Sequence, residues 1–162
     1  MLKIIGTASG REYGFSTLDQ GQLQYMDRAY QFDYVPAALR GCSHIRTCGG
    51  DKMMGENEWC FSLACDRPAD VYVLYADRQP LLPEWLRDYE RLRMNVTRLD
   101  TMCDCLKGYF SVYKKTFSPG EIRFYGNSPL CMLKEDWYRD TKAAGYCMYS
   151  VAVIEKTCID RS

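Results

Sequence analysis

The chain has one histidine, His44, among 162 residues, and no excess of either charge, since 21 basic residues meet 21 acidic ones. A lone histidine excludes paired-histidine metal motifs. Balanced charge leaves no basic field to hold nucleic acid or an anionic membrane surface. No apolar run approaches the roughly twenty residues of a membrane span, so a membrane-spanning protein is not expected. The amino-terminal MLKIIGTASG carries only a stub of apolar residues, against the roughly seven to fifteen that a signal peptide needs. With Met1 as the natural start, the expectation is an intracellular protein; if Met1 was added to a processed chain, a secreted one. Chemical motifs are missing too. There is no Gly-rich phosphate loop, no nucleophile elbow and no C-x-x-C pair. No enzyme activity, catalytic residue, metal or cofactor is therefore expected.

What the chain has is aromatic and thiol side chains: thirteen tyrosines and nine cysteines. Nine is odd, so at least one thiol stays free or pairs between chains. With no secretion signal in view, reduced and buried cysteines are favoured over a disulfide framework, which stays the alternative. Apolar residues at 47% and charged ones at 26% fit a soluble globular protein, and the length suits one domain, 1–162, with a real core.

The most informative stretch is PADVYVLYADRQPLLPEWL, residues 68–86. In an extended chain Val71, Val73 and Tyr75 face one way and Tyr72, Leu74 and Ala76 the other. Both sides are apolar, which predicts a central strand covered on both faces. Pro80 and Pro83 cannot donate to a ladder, so the strand ends near Asp77, and Pro83 begins a short helical turn carrying Trp85. Elsewhere, strands are expected at 2–5, at 30–35 with Tyr30, Phe32 and Tyr34 on one face, and at 42–47 and 59–65. The charged run 87–93 reads as a short helix. YFSVYKKTF, the turn SPGE and IRFYG read as a hairpin over 109–125, and GYCMYSVAVIEK as a closing strand with Tyr149, Val151 and Val153 inward. Seven or eight short strands predict an all-β protein, an antiparallel β-sandwich of jelly-roll or Ig-like type, with short helical turns at 36–40 and 83–88.

Three stretches together, YQFDYVPAALRGCSHIRTCGGDK at 30–52, DRPADVYVLYADRQPLLPEWL at 66–86 and YFSVYKKTFSPGEIRFYGNS at 109–128, resemble β-sandwich modules attached to bacterial secreted polysaccharide-degrading enzymes and surface proteins. CMYSVAVIEK resembles their closing strand. The likeness covers most of 30–156. It implies an accessory, non-catalytic module and supplies no ligand residues to carry across.

Candidate binding residues come from two places. Trp85 with Tyr89 is either an exposed stacking platform for a sugar or a plug over the core, and aromatics following a strand favour the plug. Asp51 and Glu56 lie in the oxygen-rich loop GGDKMMGENE, which suits calcium by ligand type but matches no calcium-loop spacing, so a solvated loop is expected. His44 reads as a hydrogen-bonded structural histidine, since four strand residues put it roughly 13 Å from Cys48. Cys103-x-Cys105 lacks zinc-knuckle spacing, and Asn95-Val96-Thr97 is a glycosylation acceptor only in a secreted chain. Variable loops, 49–58 and 127–145, are where function is expected. Two functions follow: a non-catalytic interaction module, a structural or accessory subunit with a protein partner in a larger assembly, or a secreted carbohydrate-binding module with a glycan as partner.

Overall fold

The computed structural model describes residues 1–79, 81–99, 107–129 and 147–157. Among them are ten strands and no α-helix. Strands β1 (Lys3–Thr7), β5 (Trp59–Cys65) and β9 (Gly120–Tyr125) form a three-stranded sheet in the order β1-β5-β9. The other sheet runs β2 (Gly14–Thr17), β4 (Ser43–Arg46), β10 (Ser150–Glu155), β6 (Ala69–Ala76), β8 (Lys107–Phe117), β7 (Glu90–Leu99) and β3 (Gln31–Tyr34). All these strand pairs are antiparallel, and the two sheets make the expected β-sandwich. No helix among the described residues is long and apolar enough to cross a membrane.

β6 lies between β10 and β8, as its two apolar faces required. Val71, Val73 and Tyr75 pack toward the small sheet against Phe61 and Phe124, whose rings stack at 4.6 Å. Tyr72, Leu74 and Ala76 join a second core with Phe32, Val96 and Phe110. That second core exists because the large sheet curls into a half-barrel. The segment after β2 ties its two edges together: Leu18 N–H donates to Cys42 O at 2.9 Å, and Gly21 N–H to Phe32 O at 2.8 Å.

Three expectations about local structure are corrected. Residues 90–93 belong to β7, not to a helix. The turn opened by Pro83 is a 3-10 turn over Glu84–Asp88, after which Glu90 pairs with Lys114 and Arg91 with Tyr113 across the sheet. Residues 109–125 are not a hairpin. β8 already has β6 and β7 on its two sides, so β9 crosses to the small sheet and pairs with β5. Pro119 offers no N–H to extend a ladder, and Gly120 at φ +136° turns the chain away. Finally, Tyr30, Phe32 and Tyr34 do not share a buried face. Phe32 opposes Arg98 and Tyr34 opposes Thr97, so Asp33 is an extra residue, a bulge that swings Tyr34 outward. Phe32 is buried and Tyr34 is 50% exposed. Of the two short helical turns, 83–88 is the 3-10 turn and 36–40 is a hydrogen-bonded turn closed by Leu39 N–H to Pro36 O at 2.9 Å.

The crossing at β9 fixes one residue type. A Cβ on Gly126 would lie 1.9 Å from Gly55 O, which is backbone and cannot step aside. Gly126 also donates its N–H to Glu58 O and accepts from Trp85 Nε1, both at 2.9 Å. Gly126→Ala should therefore cost about 3 kcal/mol or more, as overpacking against a fixed backbone does. A urea titration checks this, and a midpoint within error of the parent would contradict the close approach.

Candidate binding site

Trp85 and Tyr89 do meet, but as part of the core. Their rings pack edge to face at 5.8 Å, and Trp85 also meets Tyr149 at 5.2 Å. Tyr89 is 8% exposed, and burial raises its hydroxyl above the ordinary tyrosine range. Trp85 is half-buried, with its indole N–H held by Gly126 O. The pair closes one end of the space between the sheets.

Asp51 is not solvated as expected. It is 4% exposed, because the β1–β2 connection folds over it with donors. Tyr13 donates to Oδ2 at 2.5 Å, Ser9 Oγ donates to the same oxygen at 3.0 Å, and Arg11 Nε lies 3.2 Å from Oδ1. Burial keeps the Tyr13 hydroxyl protonated, and the nearby Cys60 adds to that. Glu56 works at the other end of the loop, where its Oε2 accepts from Glu84 N–H at 3.1 Å and so anchors the turn that carries Trp85. Thus Asp51 and Glu56 bind the chain to itself, and neither they nor the aromatic pair line the two clefts below.

His44 is fully buried on β4, with Phe32 edge-on at 5.1 Å. The expected hydrogen bond is missing: among the described residues neither ring nitrogen has a partner. Its strand neighbours across the ladder are Ser16, whose hydroxyl donates to Gln22 Oε1 instead, and Ala152, which offers no side-chain partner. Burial lowers its pKa to about 3, with Arg46 contributing, so the ring is neutral. Cys42, Cys48, Cys60 and Cys65 form no disulfide among the described residues. Burial pushes Cys42, Cys48 and Cys60 up to about 11, which keeps these three thiols protonated at neutral pH. Cys103, Cys105 and most of 127–145 lie outside the described residues.

The clefts sit at the two ends of β3. At its carboxyl end, the bulge turns Tyr34 into a cleft of about 210 Å³ lined with Asp19, Gln20, Asp33, Val35 and Arg40. Arg40 Nε donates to Val35 O at 2.8 Å, which holds the guanidinium at the rim. Tyr109 is 52% exposed and stands one strand beyond Thr97, which pairs with both tyrosines. Two exposed rings thus flank β7, roughly 10 Å apart at the backbone. At the amino end of β3 a smaller pocket, about 60 Å³, is lined by Tyr25, Arg28, Tyr30, Lys52, Arg98 and Cys147.

With this geometry in view, the comparisons are sparse. No protein-family model matches the chain, and no curated protein matches it. Solved structures do. A β-glucuronidase from glycoside hydrolase family 2 superposes with a TM-score of 0.69 at 22% identity, over 96% of this chain and 14% of its own. A GH138 enzyme targeting pectin rhamnogalacturonan II superposes at 0.62 with 12% identity, over 96% of this chain and 16% of its own. The likeness is one of fold. The chain spans only that small share of each enzyme.

Neither Tyr34, which lines the larger cleft, nor Tyr109 beyond it stands out in the sequence as a binding residue. Tyr34 sits in an alternating strand and reads as core; a Gln-Phe-Asp-Tyr run ending at Pro36 is the one hint of an irregular edge. Arg98 reads as an ordinary surface position in a polar strand.

Proposed function

We propose that the chain is a non-catalytic carbohydrate-binding module that takes a saccharide in the cleft at the carboxyl end of β3. The observation that carries this reading is the outward-turned Tyr34 ring beside Asp19, Asp33, Gln20 and Arg40. A sugar ring presents weakly positive C–H groups to the negative face of an aromatic ring, while its hydroxyls donate to carboxylates and accept from guanidinium and amide groups. At about 210 Å³ the cleft is below the range of roughly 300–1,000 Å³ usual for drug-sized ligands, and suits one or two exposed rings of a longer chain. The glycoside hydrolase neighbours support the same reading. The interaction-module reading, with a protein partner in a larger assembly, rests on the same fold; the polar lining of the cleft favours the saccharide.

Affinity electrophoresis against a panel of soluble polysaccharides tests it. At least one should retard the protein, and Tyr34→Ala should weaken that binding about tenfold, as loss of an aromatic anchor does. Because Tyr34 is half exposed, its thermal midpoint should barely move. The reading falls if no polysaccharide binds, or if binding is indifferent to Tyr34→Ala and Asp33→Ala. Release of reducing sugar from the bound polysaccharide would overturn the non-catalytic part.

A further inference from the structure

We propose that the smaller pocket, at the amino end of β3, binds a compact oxyanion, the carboxylate or sulfate of an acidic saccharide. The saccharide part rests on the function proposed above; the anion part rests on the pocket itself.

Arg98 is the centre of it. The bulge leaves Phe32 opposite Arg98, and the arginine projects toward the mouth of the half-barrel with its guanidinium 3.9 Å from the centroid of the Tyr30 ring. Nη1 donates to Gln24 Oε1 at 2.9 Å and to the Tyr25 hydroxyl at 3.2 Å, while Nη2 donates to Cys147 Sγ at 2.9 Å. None of the three acceptors is a carboxylate. An arginine has five N–H donors, so two have no acceptor among the described residues. Among the described residues no carboxylate pairs with Arg98 or with Lys52.

The rest of the lining has the same sign. Arg28 and Lys52 complete the wall, and among the described residues no acidic side chain contributes to it. Arg28 does have a counter-ion, Asp27 Oδ2 at 3.0 Å. That carboxylate is otherwise occupied, accepting from Gly49 N–H at 2.6 Å and Gly50 N–H at 2.9 Å. Arg28, Lys52 and Arg98 thus line about 60 Å³, and among the described residues only Arg28 of the three has a carboxylate partner. Like charges held together are costly unless something negative enters between them. The guanidinium is clamped by Tyr30 and by its three acceptors, so little ordering remains to be done on binding.

Size selects the group. The pocket has room for a few water-sized atoms, which fits a carboxylate or sulfate head but not a sugar ring. The ring carrying that head would lie outside. From Tyr30 to Tyr34 is about 13 Å of strand, so an oligosaccharide seated on Tyr34 could present an acidic neighbour here.

Titration calorimetry on the intact chain with methyl glucuronoside, methyl galacturonoside, methyl glucoside and sodium sulfate tests the inference. The uronosides should bind about tenfold or more tightly than the glucoside, with a preference that weakens as NaCl rises. Arg98→Gln should abolish the preference while leaving glucoside binding at the Tyr34 cleft unchanged. Lys52→Met, at the rim and free of the clamp, should reduce it severalfold and covers the case in which Arg98→Gln fails to fold. Equal affinity for charged and neutral sugars, or a preference that survives both substitutions, overturns the inference and leaves the Tyr34 reading intact. Sulfate binding that needs Arg98 without any uronoside binding overturns the saccharide part. If instead the uronosides bind through Arg98 but nothing responds to Tyr34→Ala, the inference stands and the larger-cleft reading is the one that fails.

Discussion

At pH 4 the His44→Leu variant should be markedly more stable than the parent protein, although the two should differ far less at pH 7.5. His44 is fully buried with both ring nitrogens unpartnered among the described residues, and its pKa is lowered from 6.5 to about 3. In the unfolded chain the ring takes a proton near pH 6.5, while in the folded chain it stays neutral until about pH 3. Between those values the unfolded state binds the extra proton, so folding stability falls as pH falls. The contribution is complete above pH 6.5 and is lost progressively on the way down to about 3. Each pH unit in that window costs about 1.4 kcal/mol, or on the order of 3 kcal/mol by pH 4. That is a large share of a typical domain's stability of roughly 5–15 kcal/mol. Urea unfolding of both proteins at pH 7.5 and pH 4 measures it. Parallel losses in parent and variant would show that His44 is not held neutral. At neutral pH the variant should still gain slightly, since a buried imidazole N–H without an acceptor costs about 1–3 kcal/mol.

Trp85→Ala should be the most damaging single truncation at the end of the sandwich, costing about 3–5 kcal/mol. The ring touches Tyr89, Tyr149 and Phe124 edge-on, and its N–H satisfies Gly126 O. Removing it opens a cavity beside Tyr149, which is fully buried, and leaves a carbonyl without its donor. Trp85→Phe keeps most of the ring but not the N–H, so it should recover roughly half of the loss. The same variants separate plug from platform. As a plug, Trp85 changes the denaturation midpoint and leaves saccharide affinity alone, provided the protein is kept folded. Loss of binding with an unchanged midpoint would restore the platform that the sequence also allowed.

How far the chain could be read beforehand depended on whether a feature was local. The two apolar faces of 71–76 are a period-2 pattern, and a strand buried on both sides is the one structure that satisfies it. Pro83 as the start of a turn, and Trp85 as its cargo, follow from ring chemistry in the same way. The hairpin at 109–125 was misread because SPGE is a competent turn between two strands. Whether such a turn joins neighbours in one sheet or crosses to another depends on what already occupies the first strand's edges, and β6 and β7 occupy both edges of β8. Residues 90–93 read as helix in the sequence because charge density says nothing about pairing. Asp51 looked solvated for a similar reason. Its partners Ser9, Arg11 and Tyr13 lie some forty residues upstream, and nothing in GGDKMMGENE signals their approach.

The amino-acid sequence alone determined that this is an antiparallel all-β sandwich with a central strand at β6 and an aromatic plug after Pro83. Alternation and proline act within a few residues, so they survive in one dimension. Only the tertiary structure decided where the two clefts lie. One extra residue at Asp33 turned Tyr34 out of the core and set Phe32 opposite Arg98. The curl of the seven-stranded sheet then brought Arg28, Lys52 and Arg98 to a single pocket from three distant parts of the chain. A bulge and a sheet's curvature come from pairing across strands, and that information is not carried by any one of them.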